Sequence, residues 1–176
     1  MTIIVRALAV FVLCAWLFGR VQAQDAQQSI ALLDCTLIDD NAAYNDADTN
    51  RIQAARLAMV SNALRDELRL HTPFRVADNA PASDLIASLQ RGQDMNACNG
   101  CELRVARELG VSRVGVCWVQ KISNLILNIN LRVEDVDSGA TVFQRSVDMR
   151  GNTDQSWRRG AKALVDLLAS DASVMR

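Results

Sequence analysis

Between Arg113 and Met149 the chain carries the pattern of three consecutive strands, and no other stretch narrows the fold as far. Arg113 to Ser123 (RVGVCWVQKIS) is apolar on both parities at its centre, the mark of an interior strand covered on both faces. Leu125 to Val136 alternates instead. Leu125, Leu127, Ile129, Leu131 and Val133 share one face, and Asn128, Asn130, Arg132 and Glu134 share the other. Asp137-Ser138-Gly139 makes a hairpin turn into Thr141 to Met149, where Phe143, Val147 and Met149 oppose Gln144, Ser146 and Asp148. Such short turns join antiparallel neighbours, so this part is a meander, with a polar face on its last two strands that water can cover.

The elements upstream have a different rhythm. Ser29 to Leu37 (SIALLDCTL) has the character of a buried strand, and Ile38 to Asn50 that of a polar, acidic surface loop. Thr49 or Asn50 can cap a helix running to about Leu70, with Leu57, Val60, Leu64 and Leu68 as its apolar stripe. Pro73 closes that helix, and Phe74 to Ala77 forms a short strand. A short helix follows from Ser83 to Leu89, then one from Cys101 to Leu109 that ends at Gly110. After the meander, Asn152 can cap a final helix, with Gln155 reaching back and Trp157, Ala161, Leu164 and Leu168 facing inward. Gly160 is either a weak point of that helix or a place where it lies close on the sheet. The order β-α-β-α-α-β-β-β-α combines parallel crossovers with antiparallel turns. It predicts a single α/β domain in which a mixed five-stranded sheet packs with helices.

The amino end speaks of location. Arg6, the apolar run Ala7 to Phe18 and the small residue closing Val21-Gln22-Ala23 make residues 1–23 a signal peptide. The run falls short of the roughly 20 residues a membrane span needs. The expectation is a periplasmic domain over residues 24–176, with no transmembrane segment. Removing Arg6 and Arg20 leaves 17 basic against 20 acidic residues, a net charge of −3. That balance argues against nucleic acid as a partner. Tyr44, Phe74, Trp118, Phe143 and Trp157 are too few for a platform that stacks bases or sugars; Trp118 and Trp157 belong to inward stripes.

Three runs have a familiar character: Cys98-Asn99-Gly100-Cys101-Glu102, the segment Val119 to Asn130 (VQKISNLILNIN), and Arg150 to Trp157 (RGNTDQSW). Together they resemble the signature of an exported bacterial family that carries a domain-of-unknown-function label, 2380 or 3280, over nearly all of the mature chain. That family has no established activity, so the resemblance implies no cofactor and no catalytic set. The element order is also similar to the amino-terminal domain of the Tol-system propeller protein. It resembles, too, the domain of curli-secretion and penicillin-binding-protein-activator lipoproteins. Those likenesses imply work by protein–protein contact.

Four cysteines follow the leader: Cys35, Cys98, Cys101 and Cys117. An even number in an oxidising compartment favours disulfides. Cys98 with Cys101 is the first pairing to consider, leaving Cys35 and Cys117 bonded to each other or buried free on neighbouring strands. A CxxC at a helix start can also activate a thiolate, but here it follows an irregular loop and no Trp or Pro flanks it. Glu102 stands where haem attachment needs His, and His71 is the only histidine, so neither haem nor zinc is expected. Asp46-Ala47-Asp48-Thr49-Asn50 opens like a calcium loop, but Arg51 replaces the required Gly, and helix capping explains the same residues. No Ser–His–Asp arrangement can be assembled around His71.

One polar set remains on the late strands: Lys121, Asn124, Asn128, Asn130 and Arg132. Two readings fit it, the wet face of a meander or a surface that offers hydrogen bonds to a partner chain. The sequence therefore points to a non-catalytic periplasmic accessory or adaptor protein, without cofactor or metal, that contacts a protein partner through its sheet. The alternative is a thiol–disulfide redox protein using Cys98 and Cys101.

Overall fold

The structure is a computed structural model and describes residues 28–95 and 97–174. The signal peptide expected at 1–23 lies outside the described residues. The sheet is built around β4 (Arg113–Lys121). Two short segments, β1 (Ser29–Leu32) and β2 (Thr36–Asp39), run parallel to its two halves, and β3 (Arg75–Val76) lies parallel to β1 at the edge. On the other side β5 (Ile126–Asp135) pairs antiparallel with β4, and β6 (Thr141–Arg150) antiparallel with β5. The sheet is mixed as expected, with strand order β3-β1-β4-β5-β6 and β2 beside β4.

The single first strand expected over Ser29 to Leu37 is two strands with a bulge between them. Leu32 stands opposite Gly115 and Thr36 opposite Trp118, so four steps on one chain match three on the other. Tertiary partners take over the backbone there. The Cys35 N–H donates to Ser61 Oγ at 2.9 Å, and the Leu32 carbonyl accepts from Arg65 Nη2 at 2.9 Å and Asn79 Nδ2 at 2.7 Å. Those bonds satisfy groups that the sheet ladder has lost.

Among the described residues four α-helices pack on the sheet: α1 (Ala47–His71), α2 (Ser83–Gln90), α3 (Cys101–Glu108) and α4 (Asp154–Ala169). Two begin at other caps than expected. Asp46 starts α1, its carboxylate accepting from the Thr49 N–H at 2.7 Å. Thr153 and Ser156 form the capping box of α4, because the Asn152 side chain is engaged by Trp157 Nε1 at 3.0 Å.

The two faces of the sheet are covered unequally. On one, α1 and α4 bury Val60, Leu64, Leu68, Trp157 and Leu164 against Ile30, Leu32, Val119, Ile129 and Leu131. There α4 lies close on the strands: a Cβ on Gly160 would stand 2.9 Å from Ile129 Cγ2 and 2.8 Å from Met149 Sδ. On the other face, α2 and α3 bury Leu89, Val105 and Ala106 against Ala31, Leu33, Val114 and Val116. Helices of eight residues reach about 12 Å, whereas a nine-residue strand runs about 30 Å. This second face is therefore roofed only at the Arg113 end of β4. The expectation of a solvated polar face holds for half of it.

Candidate functional site

The uncovered half of the second face is four strands wide. One row crosses Thr36, Trp118, Asn130 and Ser146, and the next Ile38, Gln120, Asn128 and Asp148. Ile126 and Arg150 close it at the far end. Ile38 is 39% and Ile126 58% exposed, so large apolar groups stand open at both sides of a polar centre. That centre is ordered from within: Asn130 Nδ2 donates to Asn128 Oδ1 at 2.6 Å and to the Trp118 carbonyl at 3.3 Å. Apolar groups around fixed hydrogen-bonding amides are the make-up of a protein-binding patch.

The five polar residues singled out in the sequence do not form one surface. Asn128 and Asn130 meet on the open half. Arg132 shares their face but sits at the roofed end, where its guanidinium bridges Glu102 (2.9 Å) and Glu134 (2.8 Å). Burial raises the Glu134 carboxyl above its usual range; the neighbouring Glu102 pushes the same way, against the opposing pull of Arg132. Asn124 lies in the β4–β5 turn, held by Asn152, whose N–H donates to its carbonyl at 2.9 Å. Lys121 points to the opposite face, with the parity of Val119. Its ammonium is 2.9 Å from Asp39 Oδ2, and the side chains of the pair are only 5% and 3% exposed. Burial alone would raise the Asp39 carboxyl, but hydrogen bonds from Asn45, Lys121 and the Asn41 backbone outweigh it and hold the group at about 2.

Ile38, Gln120, Ser146 and Asp148 complete the open half without having been singled out. The parity of Gln120, Ser146 and Asp148 was readable; Ile38, expected to open a surface loop, belongs to β2, whose pairing beside the second half of β4 was not legible.

Both cysteine pairs are bonded: Cys35 to Cys117, with Cα atoms 4.5 Å apart, and Cys98 to Cys101, 5.6 Å apart. The first ties the bulge after β1 to the middle of β4. The second opens α3 beneath Gly100, whose positive φ of 90° suits glycine. Cys98 is 5% and Cys101 2% exposed, and Gln93 Nε2 lies 3.0 Å from the Cys101 sulfur. Thiol exchange needs a sulfur that an attacking thiolate can reach, so this burial opposes a redox role. Among the described residues no three His, Cys, Asp or Glu side chains are grouped to hold a metal ion. Asp46, from the calcium-like segment, serves as a helix cap.

A family model, DUF3280, described as "Protein of unknown function (DUF2380)", matches residues 28–167. No curated protein matches the chain. Among solved structures it is similar to Escherichia coli LpoB, with 14% identity, a TM-score of 0.51, and coverage of 70% of this chain and 57% of that one. It is similar also to PelC, a dodecamer from Paraburkholderia phytofirmans, with 12% identity, a TM-score of 0.50, and coverage of 82% and 89%. TolB from Acinetobacter baumannii aligns at 12% identity and a TM-score of 0.47, over 82% of this chain and 28% of that one. The first two likenesses are likenesses of fold.

Proposed function

The chain belongs to the DUF3280 family, and on that premise we propose that it is a non-catalytic accessory protein of the bacterial envelope that binds a protein partner. The surface that does so is the open half of the sheet, centred on Asn128, whose side chain the buried Asn130 holds from beneath. One observation carries the reading: α2 and α3 are too short to roof the second face. Ile38 and Ile126 are thereby left at the surface on either side of the Asn128 amide, while Trp118 is half-buried and packs against the edge of the roofed core. A sheet face with that composition gains from being covered again, by apolar burial at its flanks and hydrogen bonds at its centre. Among the described residues no helix is long and apolar enough to cross a membrane. Export, as residues 1–23 suggest, would place the surface in the periplasm.

The test is a photo-crosslinking residue placed at Asn128 or Ser146 and, as a control, at the exposed Arg158 on α4. In the native periplasm the two sheet positions should yield the same discrete adduct and Arg158 none. Adducts of equal yield from all three positions, or none from any, would overturn the assignment.

A further inference from the structure

We propose that the crevice between the carboxyl ends of β1 and β3 is a binding site for a small zwitterionic ligand of the amino-acid or dipeptide class, separate from the sheet surface. The topology puts a crevice there for a physical reason. The chain leaves β1 through the bulge and β2 before it reaches α1 on one face of the sheet, and it leaves β3 toward α2 on the other. Adjacent parallel strands whose connections depart to opposite faces must open a gap at their carboxyl ends, which is where open α/β sheets hold ligands. The gap has a volume of about 490 Å³, within the range of small-molecule sites.

The crevice is braced. The bulge frees the Leu32 carbonyl, and a donor from each wall takes it: Arg65 from α1 and Asn79 from the loop after β3. Neither wall can move without breaking a bond to the strand end, so the cavity is preformed. Leu33, Ile86 and Met95 give it an apolar part of its lining. The charges are divided between its sides. Arg69 stands one helical turn beyond Arg65 on α1, and Asp78 lies across from them on the β3 loop. Arg65 is already committed to Asp34 (2.5 Å), Arg69 makes only a local, exposed pair with Asp66, and Asp78 accepts the Ala80 N–H through Oδ1 at 3.0 Å. A ligand carboxylate is matched by Arg69 and a ligand ammonium by Asp78, with its apolar part on Ile86 and Met95. A purely anionic ligand would meet Asp78, and a purely cationic one Arg69; only a molecule bearing both charges satisfies both walls.

The experiment is an amide-shift titration of the purified full-length protein with alanyl-leucine, its N-acetyl form and its C-terminal amide. The free dipeptide should give saturable shifts at Leu33, Asp78 and Ser83, and each blocked form should bind at least about tenfold more weakly. Arg69→Glu should abolish the shifts while the rest of the spectrum stays that of the folded protein. A photo-crosslinking probe at Asn128 should retain its adduct in that variant, which separates this site from the proposed surface. No saturable shift at millimolar dipeptide would overturn the proposal, as would blocked forms that bind as well as the free one.

Discussion

At the scale of single residues, the most informative group is Glu134. Arg132 is one cation set between two carboxylates, Glu102 and Glu134, beneath α3. Burial and the neighbouring carboxylate raise the Glu134 pKa, so the folded state favours its protonated form. A raised folded pKa contributes stability that is complete below the unfolded value, about 4.3, and is lost as pH rises through the folded value. Glu134→Gln keeps the shape and a donor but removes the second negative charge. It should stabilise the protein at pH 7 by on the order of 1 kcal/mol and flatten the stability loss between mildly acid and neutral pH, as read by urea unfolding across that range. A variant less stable than wild type at pH 7 would mean that Arg132 needs both carboxylates ionised. Asp39 has the opposite sign. Held at about 2, it contributes stability above the usual carboxylate value that is lost as pH falls toward about 2. The two acids therefore tilt the acid limb of the stability curve in opposite directions.

Among the elements, the broken first strand has the widest consequences. The bulge at 33–35 shifts β2 by one residue against β4, frees the Leu32 carbonyl for the crevice walls, and sets Cys35 against Cys117. That bond closes a loop with a sequence separation of 82 residues. Removing it with Cys35→Ala and Cys117→Ala together should cost about 4 kcal/mol through the entropy of the unfolded chain. The loss is measured by urea unfolding as a lower extrapolated stability with a steeper slope, since the chain without the cross-link exposes more surface when unfolded; a loss below about 1 kcal/mol would show that the bulge is held by its hydrogen bonds instead. The break was hard to read in the sequence because SIALLDCTL contains neither Gly nor Pro and is apolar on both parities, so the exposed Asp34 alone marks the missing step. Strand β5 was legible because its period of two is uninterrupted from Leu127 to Val133. The start of α4 was legible only as a region: Asn152, Thr153 and Asp154 are all competent caps, and the demand of the Trp157 indole decides among them. For the candidate surface, Asn128 and Asn130 were readable from parity. Lys121 was grouped with them by polarity across a turn, although its parity is that of Val119.

Taken as a whole, the molecule is a sheet whose two faces differ in how far they are roofed, and this asymmetry follows from helix length alone. A 25-residue and a 16-residue helix, about 37 Å and 24 Å long, span one face. Two eight-residue helices leave the other half open. Neighbouring residues on β5 should then respond in opposite ways to the same kind of change. Ile129 is fully buried between β4 and α4, against the flank of Gly160. Ile129→Asn would place an unpaired amide in that contact and leave a void, with an expected loss of about 3–5 kcal/mol, much of the stability of a domain this size. Asn128 lies one residue away on the open half, and Asn128→Ser, which removes the acceptor of the Asn130 amide, should cost only about 1 kcal/mol. Its larger effect should appear in the yield of the adduct trapped from Ser146, because Asn128 lies diagonally across from Ser146 in the patch that a partner would cover. Thermal unfolding of the two variants, run beside the crosslinking assay, separates the face that holds the fold from the face available for contact. If Asn128→Ser proved as destabilising as Ile129→Asn, the open half would be part of the core, and the binding surface would have to be sought elsewhere on the molecule.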